Sequence, residues 1–140
     1  MNPKNWIVVI DTLILGILGW YLMLRPTYKL THYQLKFCGE VHLTQIEYSN
    51  IKERGVAFVY GKHTEESIPQ NCIIDKNMSG FDSVLEAVFT CNNKGDIFLN
   101  YNTGYYIIQG KVDKIIENRV KATEFDELKS NSNNLYIILE

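Results

Sequence analysis

The stretch WIVVIDTLILGILGWYLML, from Trp6 to Leu24, constrains this chain more than any other part of it. Only two of its side chains, Asp11 and Thr12, are polar. About 20 apolar residues, each rising about 1.5 Å along a helix, cover the ~30 Å hydrocarbon core of a bilayer. Trp6 stands at one end of the run and Trp20 and Tyr21 near the other, as amphipathic rings at the two headgroup boundaries would. Arg25 ends the run by its charge and Pro26 by breaking the helix. A cleavable signal peptide has a shorter apolar region, roughly 7–15 residues, followed by a small-residue cleavage site. The buried helix of a soluble protein carries a polar stripe. Neither pattern is present, so the sequence reads as a short tail over residues 1–5 and a single transmembrane helix over residues 6–24.

Asp11 lies five residues past Trp6, roughly 7 Å below that boundary. A carboxylate at the bilayer centre costs about 2.5–3.5 kcal/mol on insertion scales, and less near the edge. On a helical wheel Thr12, Gly16, Gly19 and Met23 share a narrow arc, and Asp11 borders it. Small residues four apart let a second helix approach closely. Asp11, Thr12, Gly16 and Gly19 therefore form a candidate packing face for a partner helix. The stretch VIDTLILGILGWYLMLRP also resembles the anchor of the proton-driven stator family that includes biopolymer transport proteins. In that family one helix bears an essential aspartate just inside the membrane. The resemblance implies an ion-driven motor or transport subunit with Asp11 as the proton carrier.

The formal charge of −2 over 140 residues gives no electrostatic reason to seek nucleic acid. Positive-inside counting sets Lys4 and the α-amino group against Arg25, Lys29 and Lys36, which leans toward a cytoplasmic C-terminal domain. Bacterial proteins with one N-terminal anchor and a small following domain more often expose that domain to the periplasm, and the reading favours the periplasm. Three cysteines, Cys38, Cys72 and Cys91, exclude a dense disulfide framework and form no Cys-x-x-Cys pair. They fit either one disulfide with one free thiol or three buried thiols.

Residues 25–34 read as a juxtamembrane connector and residues 35–140 as one β-rich domain. YQLKFCGEV and VHLTQIEYS carry spaced apolar residues around a bend at Gly39. GVAFVYGKH, NCIID and LYIILE read as further strands. DIFLNYNTGYYIIQG suggests a hairpin about Asn102-Thr103-Gly104, and KVDKIIE with RVKATEF a second about Asn118. In SGFDSVLEAVFTCNN, the residues Phe81, Val84, Leu85, Val88 and Phe89 follow helical spacing, with Ser79 as cap. The expected architecture is a single transmembrane helix followed by a small α+β, mostly β domain: an antiparallel sheet with one covering helix.

No nucleophile elbow, phosphate loop, dinucleotide fingerprint or metalloprotease motif occurs. His32, His42 and His63 do not pair at metal-ligand spacing. Cys38 and His42, four apart in an extended stretch, would sit roughly 13 Å apart. No metal and no cofactor is implied. Tyr101, Tyr105 and Tyr106 cluster about one expected hairpin and offer a protein-binding surface, since exposed tyrosine combines apolar area with a hydroxyl. The expectation is a membrane-anchored, non-catalytic interaction protein: an accessory subunit of a membrane complex, or an inhibitor or immunity-type partner. Its partners would be membrane lipid and either another membrane protein or further copies of itself.

Overall fold

A computed structural model describes residues 3–51, 54–75, 85–102, 108–109 and 112–139. The N-terminal helix α1 (Pro3–Leu24) is unbroken over 22 residues. Its stretch Ile7–Leu24 is long and apolar enough to cross a membrane, and none of it is buried against the rest of the chain. A mostly-β domain follows. Strand β1 (Thr27–Leu35) begins almost at once, so most of the stretch expected to be a connector is sheet. Its alternation of Tyr28, Leu30 and His32 with Lys29, Thr31 and Tyr33 is the period-2 pattern of a strand with two unlike faces. A 3-10 turn at Lys36–Cys38 ends at Gly39, whose φ of 72° is the left-handed conformation that the bend requires. Strand β2 (Val41–Ser49) then returns antiparallel to β1.

Strands β3 (Arg54–Tyr60) and β4 (Ile73–Asp75) follow, and two-residue β7 (Ile108–Gln109) completes an antiparallel sheet in the order β1-β2-β3-β4-β7. A second sheet holds β5 (Leu85–Cys91), β6 (Ile97–Tyr101), β8 (Ile115–Arg119) and β9 (Leu135–Leu139) in the order β8-β6-β5-β9. Within it β6 and β8 are parallel. The two sheets pack face to face. Leu35, Leu43, Val56, Phe58 and Ile73 of the larger meet Ala87, Phe89, Ile97, Leu99 and Ile137 of the smaller in one buried cluster. The Phe58 and Phe89 rings meet edge to face across this core, centroids 5.0 Å apart. Cys38 and Cys91 form a disulfide that clips the turn after β1 to the end of β5, while Cys72 is a buried free thiol. Of the two arrangements that the cysteine count allowed, the structure has the disulfide with one free thiol.

Three local expectations are overturned. The segment expected to be helical across residues 79–91 is strand over Leu85–Cys91, and its beginning lies outside the described residues. β5 is an inner strand covered on both sides: Phe89 faces the larger sheet and Val88 faces a helix. A strand buried on both faces reads as a nearly continuous apolar run, which imitates helical spacing. The covering helix is instead α2 (Ala122–Ser130), in the segment expected to be the second arm of a hairpin. Phe125 and Leu128 pack with Val120, Val88 and Tyr136 on the outer face of the smaller sheet. Its N-cap position, Lys121, makes no side-chain cap bond, so the usual start signal is missing. Finally, β6 and β7 belong to different sheets, so no hairpin joins them.

The remaining outer face, that of the larger sheet, is covered by the chain between β3 and β4. Ile68 and Cys72 lie on Ile46, Ala57 and Val59. Fully buried Thr44 ties this cover down: its hydroxyl donates to the Gly61 carbonyl (2.8 Å) and accepts from the His63 amide (3.0 Å).

Helix α2 is also held through Glu86. The Tyr136 hydroxyl (2.6 Å) and the Lys129 ammonium (3.1 Å) both donate to its carboxylate, and Lys129 lies 4.4 Å from the centre of the Tyr136 ring. The Tyr136 bond first, then the Lys129 bond, holds the Glu86 carboxyl below its ordinary range. A carboxyl lowered by folding stabilises the native state above its unfolded pKa and loses that contribution as pH falls through the folded value. Glu86→Gln should therefore lower Tm by a few degrees at neutral pH. The gap from the parent should close in acid below the ordinary glutamate range, because Glu86 is then neutral too. A gap that stays constant down to pH 3 would contradict the charge-based account.

Candidate ligand cleft

The two strands β1 and β2 are nine residues each, whereas β9 has five. At about 3.4 Å per residue, β9 spans only a little over half their length. The inward face of the larger sheet changes character along these strands. It is apolar at Leu35, Val41 and Leu43 and polar at Thr31, Lys29 and Thr27 on β1 and at Gln45, Glu47 and Ser49 on β2. These residues stand opposite one another in pairs: Thr31 with Gln45, Lys29 with Glu47, Thr27 with Ser49. They line a cleft of about 720 Å³, with Arg54 of β3 beside them and Ile137 and Ile138 of β9 as the apolar wall. Thr27, at one end of the row, is three residues beyond the last residue of α1.

A chain of hydrogen bonds fixes the polar wall. The Tyr33 hydroxyl donates to Oε1 of Gln45 (2.9 Å), and Nε2 of Gln45 donates to Oε1 of Glu47 (3.0 Å). The Lys29 ammonium reaches both Glu47 oxygens at 3.2 and 3.3 Å. Thr27 and Ser49 hydroxyls meet at 3.1 Å. Gln45 is only 2% exposed, and its two amide bonds satisfy a group that would otherwise be costly to bury. Burial first, and then the Glu47 charge, pushes the Tyr33 phenol above its ordinary value, so Tyr33 is a hydrogen-bond donor at any physiological pH. The Lys29–Glu47 pair is exposed, and pairs of this kind add little stability. Their effect is to hold Glu47 in place and neutralise it. Arg54 is exposed, and no carboxylate among the described residues pairs with it.

The arrangement offers fixed donors and acceptors beside the exposed Arg54 guanidinium, the equipment of a recognition surface. Among the described residues no group of three or more His, Cys, Asp or Glu side chains could hold a metal. Cys38 is engaged in the disulfide and does not pair with His42.

The residues singled out in the sequence lie elsewhere. Asp11, Thr12, Gly16 and Gly19 are all on α1. Asp11 is exposed, and the Thr12 hydroxyl bonds to the Val8 carbonyl of its own helix at 2.8 Å. A Cβ added at Gly16 or Gly19 would meet nothing within 4 Å, so no described part of this chain packs there. Tyr101 ends β6 and is half-buried, whereas Tyr105 and Tyr106 lie outside the described residues. The cleft itself escaped the sequence reading. Its one legible trace is the polar parity Gln45, Glu47, Ser49 set against Thr44, Ile46, Tyr48 in β2, which reads simply as a solvent face. No family model, no curated protein and no solved structure matches this chain.

Proposed function

We propose that this chain is a membrane-anchored, non-catalytic interaction protein that offers the cleft between β1 and β9 to a protein partner near the lipid surface. The observation that carries the reading is the cleft itself: a hydrogen-bonded polar wall facing an apolar one, starting three residues beyond a helix long enough to span a bilayer. Concave sites with apolar walls and a few convergent polar groups are the usual form of a binding site. The Cys38–Cys91 disulfide supports placing the domain on the oxidising side of the membrane, which in a bacterium is the periplasm. An accessory subunit of a membrane complex, or an inhibitor held at the membrane, fits both features.

Site-directed photo-crosslinking in cells tests this. A benzophenone side chain at Thr31, inside the cleft, should yield one dominant protein adduct. The same group at exposed Lys94, on the turn between β5 and β6, should not. Adducts to lipid alone at Thr31, or identical adducts at both positions, would sink the reading.

A further inference from the structure

The sandwich has four lateral edges, and three of them are guarded. β8 carries Glu117 and Arg119 along an exposed row. β7 is two residues long. β1 carries Lys29 and His32 and follows Pro26. Charges, proline and short length are the devices by which free strand edges avoid pairing with other chains. β9, five residues long, carries neither charge nor proline within the strand, and its sequence, LYIIL, contains no glycine. Among the described residues it pairs with β5 on one side only and forms the end of its sheet. Ile138, on this strand, is 49% exposed.

This unguarded edge is also the apolar bank of the cleft, through Ile137 and Ile138. The opposite bank is the fixed polar wall. Its charged members among the described residues are Lys29, Arg54 and Glu47. Lys29 is committed to Glu47, so the surplus among the described residues is the positive charge of Arg54. An occupant that satisfies both banks needs backbone donors and acceptors at strand spacing for β9 and a negative side chain for Arg54.

We propose that the cleft takes an extended, acidic segment of a partner protein, which adds as a strand to the free edge of β9 and sets its acidic side chain against Arg54. Main-chain hydrogen bonds then supply affinity, and the alternate side chains that turn into the cleft supply selectivity. This inference rests on the reading of the cleft as the binding site and specifies what enters it.

The test pans a random seven-residue peptide display library against the full chain in lipid nanodiscs. The expected consensus alternates apolar residues and fixes an Asp or Glu at one cleft-facing position. Arg54→Glu should weaken the selected peptides at least tenfold, and Lys94→Glu should not. Synthesising the best peptide with one alternate set of amides N-methylated should also cost at least tenfold, while methylating the complementary set should cost little. That contrast needs no change to the protein. Absence of any selected consensus, or no loss with either methylated set, would overturn strand addition. If Thr31→Trp abolishes binding while both methylated peptides still bind, the cleft stands as the site and strand addition falls. If Thr31→Trp leaves binding intact, the cleft reading falls with it. A chain that is dimeric in nanodiscs and is not dissociated by the peptides would mean that a second copy holds the edge, and would also overturn the proposal.

Discussion

Breaking the Cys38–Cys91 bridge should lower the stability of the β domain by about 2–4 kcal/mol. The two residues are 53 apart in sequence, so the bridge closes a long loop and removes much conformational freedom from the unfolded chain. It also joins the two sheets, since Cys38 follows β1 and Cys91 ends β5. Domains of this size have only about 5–15 kcal/mol of net stability, and the loss corresponds to a fall in Tm of roughly 10–25 °C. The comparison is the parent with and without reductant, beside a Cys38→Ser/Cys91→Ser double variant. Reductant should shift the parent to the melting point of the variant and leave the variant unmoved. Equal melting of all samples would refute the bridge. The probe is the far-UV β signal, because Trp20 is exposed on α1 and would not sense the sandwich.

Phe89→Ala should cost about 3–5 kcal/mol, the usual range for deleting a fully buried ring. Phe89 is completely buried in the main core and meets Phe58 of the opposite sheet. Chemical denaturation of Phe89→Ala, Phe58→Leu and the pair should show coupling, as expected of residues in contact. Val88→Ala should couple to Phe125→Leu instead, because Val88 turns to the other face and packs under α2. This pattern separates strand from helix at β5. On a helix, Val88 and Phe89 are neighbours in a single apolar stripe, and both would couple to the same partner. Coupling of both residues to Phe58 would contradict the sandwich.

The mistaken identity of β5 shows why one part of the fold was legible and another was not. β2, β3, β4 and β9 were recognisable as extended segments from spaced or clustered apolar residues bounded by turns. β5 and α2 were exchanged. The apolar spacing of residues 81–89 suits a helix, and it equally suits a strand that is covered on both sides. Only the helix on one face and the larger sheet on the other distinguish these. The reverse holds for α2, where Phe125 and Leu128 are its few apolar anchors and most of the nine residues are polar and exposed. The cleft was illegible for a related reason. Thr31, Gln45 and Glu47 look like ordinary solvent-facing positions, and the sequence does not say that they share their face with the core residues Leu35 and Leu43.

The sequence by itself determined the apolar N-terminal helix, the predominance of extended chain after it, the bend at Gly39 and the ceiling of one disulfide. These follow from local properties: side-chain hydropathy, period and backbone conformational freedom. The tertiary structure alone decided which strands pair, that they divide into two facing sheets, that Cys91 rather than Cys72 joins Cys38, and that the polar half of the β1–β2 inner face lines a cleft beside β9. Alternation marks the two faces of a strand but carries no information about what covers each. That is settled by the competition among distant segments to bury apolar area.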